Sequence, residues 1–218
     1  MTPGVDYPST QEAELIKSAA ADLEALSLVD RVTQLLAGVI QRIDIPGGGG
    51  QDRLTALWFM AIISFRAMRA AMHVLSAGYE EQAIGFERLI DELFKRAQKV
   101  REDDSGEYAR QWLEGRGPGT PTKLVGQDLY ETLSGPVHAA ARGVFDWIAI
   151  SSDDGSTAVV VGPERRPESA NATLSYMAGE GRDIAGMLAA EAGFEIDLRD
   201  LDRQIHELHD RYLPDTDE

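Results

Sequence analysis

Three groups of residues have types and spacings that could support chemistry. The first lies in the segment YETLSGPVHAAARGVFDW (130–147). Tyr130, Ser134 and His138 fall within nine residues there, and Arg142 follows one turn later. Pro136 suits the first turn of a helix. Ser134 and His138 therefore flank a helix start, where unpaired N–H groups favour an anion. His138 would serve as an acid/base or an anion ligand. The plainer alternative is that Ser134 caps the helix and His138 packs at the junction. The second group is Arg88 with Glu92, four residues apart. On a surface such a pair is worth a few tenths of a kcal/mol; under another layer of helices it becomes a buried polar feature. The third is the run RDLDRQIHELHDR (199–211), with Arg203 and His209. Asp202, His206 and Asp210 share one face of it, and such a face can bind a divalent metal. No ligand from another helix is identifiable. The alternative is a solvated amphipathic helix with Leu201, Ile205, Leu208 and Tyr212 turned inward.

Several chemistries are excluded. With no cysteine, thiol catalysis, thiolate zinc sites and iron–sulfur clusters cannot be built. Gly-x-Ser-x-Gly, His-Glu-x-x-His and dinucleotide fingerprints are absent. IPGGGG (45–50) has the glycines of a phosphate loop but neither a preceding strand nor a Gly-Lys-Ser/Thr ending. It reads as a connector. Asp153 and Asp154 read as turn chemistry. No metal or cofactor is expected.

These residues need elements to position them, and the apolar spacing is mostly helical. Ser9 or Thr10 can cap a first helix. From Gln11, apolar residues recur to Ile40, predicting one long helix, or two with a kink, ending near Ile43. Asp52–Ala77 is apolar around most of its circumference in its first half, which predicts the central rod of a bundle. Gly78 ends it. Glu80–Val100 follows, with an apolar stripe of Phe86, Leu89, Ile90, Leu93, Phe94, Ala97 and Val100 and a polar face of Arg88, Glu92, Lys95 and Lys99. A short helix over 103–115, helices over 122–133 and 136–147, one from Ser169 or Asn171 to Ala190, and a last over 197–213 complete the pattern. Ile148–Ser151 and Ala158–Val161 flank a DDG turn signal and predict a small β-hairpin. The expected fold is mainly α: a bundle of about six to eight helices with one hairpin near 148–161. A single helical domain over 10–213 is expected, between a mobile terminus (1–9) and a disordered tail (214–218).

The formal net charge is −16, from 21 basic and 37 acidic residues. Nucleic-acid binding needs clustered Lys and Arg, and no basic run is present. Anionic membranes are disfavoured for the same reason. No signal peptide is recognisable at the N-terminus. The greasiest segment, Leu54–Phe65, is shorter than the roughly 20 residues of a membrane span. With the absence of cysteine, this points to a soluble cytoplasmic protein.

LSAGYEEQAIGFERLIDELFKRAQK (75–99), with its Arg-x-x-x-Glu pair, and the Tyr-x-x-Leu-Ser-x-x-x-His pattern at 130–138 together resemble a widespread bacterial helical family of unknown function. The resemblance covers roughly residues 55–150. It implies that Arg88, Glu92, Tyr130, Ser134 and His138 are the residues of interest. Some relatives of that family look like HEPN domains, helical bundles found in toxin and antiviral ribonucleases. Arg203 and His209 match the HEPN Arg-x(4–6)-His spacing, with Gln204 a loose fit to the polar residue after the arginine. In a regular helix the two lie about 120° apart.

Two functions follow as expectations. One is a protein-interaction or self-associating module, suggested by long amphipathic helices and the lack of a strong catalytic constellation. The other is a HEPN-like endoribonuclease of a defence or toxin–antitoxin system, in which Arg203 and His209 would converge on one cleft. A small-molecule pocket inside the bundle is a third option, for which the sequence names no ligand.

Overall fold

The computed structural model describes residues 7–44, 51–115, 150–151, 158–159 and 165–213. Among the described residues the chain forms seven helices: α1 (Tyr7–Asp22), α2 (Ala25–Gln41), α3 (Asp52–Ser76), α4 (Glu80–Glu102), α5 (Glu107–Leu113), α6 (Pro167–Glu191) and α7 (Arg199–Tyr212). The mainly helical fold is as expected. The small hairpin is not supported. Of that stretch only the two-residue pieces Ile150–Ser151 and Ala158–Val159 are described, paired antiparallel, and the turn between them lies outside the described residues. The helices expected over 122–133 and 136–147 also lie outside.

The first helix starts at Tyr7, so Ser9 and Thr10 lie inside it rather than capping it. The chain breaks at Leu23–Glu24 and continues as α2. No side chain of its own caps α2. Asn171, from the second turn of α6 and nearly fully buried, does this from outside. Its Oδ1 accepts the Ala25 N–H at 3.1 Å, and its Nδ2 donates to the Asp22 carbonyl at 3.3 Å. One side chain thus satisfies a stranded donor and a stranded acceptor at a helix break. Asn171→Ala is expected to cost about 2 kcal/mol, since it leaves both backbone groups buried and unpaired. A urea midpoint unchanged in that variant would refute this account.

The ends of α3 and α6 follow one pattern. Gly78 (φ +86°) and Gly193 (φ +76°) take the left-handed conformation that glycine adopts without a Cβ penalty. The Tyr79 N–H then reaches back to the Val74 carbonyl at 2.8 Å, and the Phe194 N–H to that of Ala189 at 3.1 Å. These bonds satisfy carbonyls that the helix ends leave open.

Leu54–Phe65 lies in α3, which packs against α1, α2, α4, α5 and α6, but α3 does not hold the centre alone. Among the described helices the most enclosed is α6, which packs against α2, α3, α4 and α7. It buries 13 of its 25 residues, whereas α3, equally long, buries nine. The physical reason is side-chain size. Ala170, Ala178, Gly181, Ala185 and Ala189 let neighbouring helices approach α6 closely. At Gly181 a Cβ would stand only 2.6 Å from Met68 Sδ and 3.0 Å from Val32 Cγ1. The large side chains of α3 cannot all find cover. Leu57, Met60 and Met68 are fully buried, but Phe59 is 44% exposed and Ile62 and Ile63 are only partly covered. By length and apolar composition α3 could cross a membrane; in this fold its inner face packs on α2, α4 and α6.

Candidate functional site

Helices α4 and α6 lie side by side and run in the same direction. The Glu80 carboxyl accepts the Arg166 N–H, Glu87 meets Thr173 and Asp91 meets Tyr176, at separations of 86, 86 and 85 residues. This register brings acidic residues of both helices into the interior. The apolar stripe expected on α4 is therefore rotated. Ile90, Leu93, Ala97 and Val100 are buried as expected, but Leu89 is exposed and Asp91 takes an inward position.

Asp91 is wholly buried and Glu180 is 6% exposed. The Tyr176 hydroxyl donates to Asp91 Oδ1 at 3.1 Å, and Lys95 Nζ stands 3.6 Å from the same oxygen. Thr173 Oγ1 donates to Glu87 Oε2 at 3.0 Å. The Glu180 carboxyl interacts with both Asp91 and Tyr176. Asp91 Oδ2 and Glu180 Oε2 are both buried without a donor among the described residues. Burial, then the charge of Asp91, pushes the Glu180 carboxyl up to about 10, partly opposed by Lys95 and Tyr176. Burial, reinforced by Asp91, pushes Glu87 up to about 7 against the opposing Thr173 hydrogen bond. The Tyr176 phenol is raised by burial first and by the two nearby carboxyls second. Perturbed groups gather in this way at functional sites and also in structural networks. What the cluster can bind is a proton, because Asp91 has no exposed surface for anything larger.

The residues singled out by sequence fall elsewhere. Arg88 Nε and Glu92 Oε1 pair at 3.3 Å, about four-fifths buried, on the flank of α4 beside the cluster. Tyr130, Ser134, His138 and Arg142 lie outside the described residues. Arg203 is exposed, bound to Asp200 and 3.9 Å from Glu207. His209 turns inward, its Nε2 2.9 Å from the Ser175 carbonyl and its ring against Gly179. Within one copy of the chain Arg203 and His209 do not converge. Asp202 is engaged by Arg182 at 2.5 Å, leaving His206 and Asp210 as a pair 3.6 Å apart. Among the described residues no group of three or more His, Asp or Glu side chains is placed to hold a metal ion. A cleft of about 420 Å³ at the start of α3 contains Arg53, but Glu191 at 3.1 Å and Asp104 at 3.7 Å already neutralise it.

A second feature is the outer face of α3. Phe59, Ile62, Ile63 and Arg66 recur at helical spacing, and His73 continues the row. Phe59, Arg66 and His73 are exposed. Neighbouring Trp58 donates from Nε1 to the Ile40 carbonyl at 3.3 Å and meets the Phe59 ring edge-on at 5.2 Å. Trp58 is thereby anchored inward and Phe59 is held outward. Apart from Asp52 in its first turn, α3 has no acidic residue.

The inward acids were missed because each looks like an ordinary surface charge. The available signal was spacing: Glu87, Asp91 and Lys95 form one row, and Tyr176 and Glu180 another, each at steps of four. No protein-family model, curated protein or solved structure matches the chain.

Proposed function

We propose that this chain is a self-associating helical module and that the outer face of α3 is its contact surface. One observation carries the reading: Phe59 stands 44% exposed on the outer face of α3, beside the partly covered Ile62 and Ile63. Exposed apolar surface of this kind, bordered by charge, is the usual mark of an interface. Phe59 has the features of an anchor residue, being aromatic, fixed from behind by Trp58 and open to solvent. Arg66 gives this face a basic edge on a chain of net charge −16. That edge is complementary to the acidic surface of a second copy.

Light scattering coupled to size exclusion tests the reading. The wild-type chain is expected to run as a dimer or larger species. Phe59→Asp is expected to weaken association by about 2 kcal/mol or more, the typical loss of an aromatic anchor, and to give monomer at micromolar concentration. The monomer should remain folded, because the ring is already partly in water. A wild-type protein that stays monomeric at high concentration would sink the proposal.

A further inference from the structure

We propose that the α4–α6 seam is a proton-dependent latch, in which one proton shared by the carboxyl groups of Asp91 and Glu180 holds the two helices together and its loss in alkaline solution loosens them. The argument begins with a count of donors. Three carboxyl groups, Glu87, Asp91 and Glu180, meet in the seam. Among the described residues, the donors that reach them are the Thr173 hydroxyl on Glu87, the Tyr176 hydroxyl and the more distant Lys95 ammonium on Asp91. Asp91 Oδ2 and Glu180 Oε2 have no donor. Two interacting ionised carboxylates, both withdrawn from the surface, repel strongly and leave acceptors unsatisfied. A single proton resolves both problems, since the protonated carboxyl donates to the ionised one. The raised affinity of Glu180 for its proton agrees with this geometry.

Among the described residues the surroundings do not supply another solution. On α4 the charged neighbours are Glu87, Lys95 and the mutually paired Arg88 and Glu92. On α6 the pair faces Tyr176, and Arg182 is turned away to Asp183 and Asp202. From α7, His209 reaches α6 at the Ser175 carbonyl, not at Glu180. The buried residues that α3 contributes to the bundle are Ala, Leu, Met and Ser64, and those of α2 are Ala, Leu, Val and Thr33; none is charged.

The sign follows from linkage. In the unfolded chain Glu180 ionises near the ordinary glutamate value, whereas in the fold it keeps its proton to about 10. The folded state therefore binds the extra proton between those limits. Its stabilising effect is fully present below the unfolded value and is lost as the pH rises through the window, by about tenfold in the folding equilibrium constant per pH unit for one proton. Glu87 adds a second proton only up to about 7. The interval from pH 7 to pH 9 isolates the latch.

The experiment is urea denaturation of the full chain at pH 7, 8 and 9, comparing wild type with Glu180→Gln and with Glu207→Gln. Glutamine at 180 donates permanently to Asp91, whereas Glu207 is an exposed acid whose replacement removes a carboxylate without touching the seam. Wild type and Glu207→Gln should each lose about a hundredfold in folding constant over the two pH units. Glu180→Gln should stay nearly flat and be the more stable protein at pH 9. A flat wild-type profile overturns the proposal. So does an equal slope in all three proteins, which would trace the effect to overall charge. Should Glu180→Gln fail to fold, infrared spectroscopy of the wild-type chain at pH 8 decides. A protonated carboxylic acid band that is shielded from exchange supports the latch, and its absence overturns it.

Discussion

Replacing Arg165 by alanine is expected to destabilise the protein by about 3 kcal/mol, chiefly by leaving its backbone acceptors unpaired. The Arg165 side chain is 1% exposed, though it lies outside every helix. Its guanidinium donates to the Leu15 carbonyl at 2.6 Å and the Ser76 carbonyl at 3.1 Å, and also to the Ser18 hydroxyl and the Asp22 carboxylate. One planar group thus ties α1, the last turn of α3 and the approach to α6. Alanine would leave the carbonyl acceptors unpaired and open a void. Asp22 is 40% exposed, so water would partly solvate the orphaned charge and limit the loss. Lysine at 165 keeps the charge but cannot span the same acceptors, so it should recover only part of the stability. The Ser18 hydrogen bond first, and Arg165 second, hold the Asp22 carboxyl below its ordinary value. The stability gained from this depressed value is present above the ordinary carboxyl range and lost as the pH falls through the folded value. The gap between wild type and Arg165→Ala should therefore narrow in acid. Chemical denaturation of both proteins across that range checks this, and a gap below 1 kcal/mol at neutral pH would refute the clamp.

Gly181→Leu is expected to cost about 3 kcal/mol, the upper part of the range for overpacking a close-packed interior. Gly181 lies where α6 meets both α2 and α3. A Cβ there would stand 2.6 Å from Met68 Sδ, 3.0 Å from Met68 Cε and 3.0 Å from Val32 Cγ1. Met68 is flexible but fully enclosed, and Val32 has little rotamer freedom, so a leucine must push the helices apart. Gly186 provides the control on the same helix. Its nearest neighbour would be Leu198 Cδ1 at 3.6 Å, an ordinary contact. Gly186→Ala should thus gain up to about 1 kcal/mol from helix propensity alone. Adding Met68→Ala to Gly181→Leu should restore part of the loss, and a double-mutant cycle measures that coupling. Strict additivity in the cycle would show that the clash lies elsewhere.

How much of this was legible differs by element. The starts and stops of α3 and α4, marked by Asp52, Gly78 and Glu80, could be read from local chemistry, because glycine and charge preferences act within a turn. The break at Leu23–Glu24 was legible only as a kink, because the residue that stabilises it, Asn171, lies 146 positions from Ala25. The amphipathic character of α7 was clear in its sequence, and Leu201 and Ile205 are buried as read. The inward turn of His209 was not, because it depends on a carbonyl and a glycine of α6. On α4, Leu89 was placed in the core and Asp91 passed over, since periodicity alone does not fix a helix rotation when polar and apolar rows adjoin.

The sequence by itself determined that this is a mainly helical protein rich in acidic charge, without thiol chemistry, and with helix stops at Gly78 and Gly193. Those properties follow from composition and from interactions a few residues long. Tertiary structure alone decided which helix is enclosed, since a rod of small residues is surrounded more completely than a rod of large ones. It also decided which acids are withdrawn from water, because Asp91 and Glu180 become a pair only when the register of α4 against α6 is set. That register is fixed by contacts between residues some 85 positions apart, which no local pattern encodes.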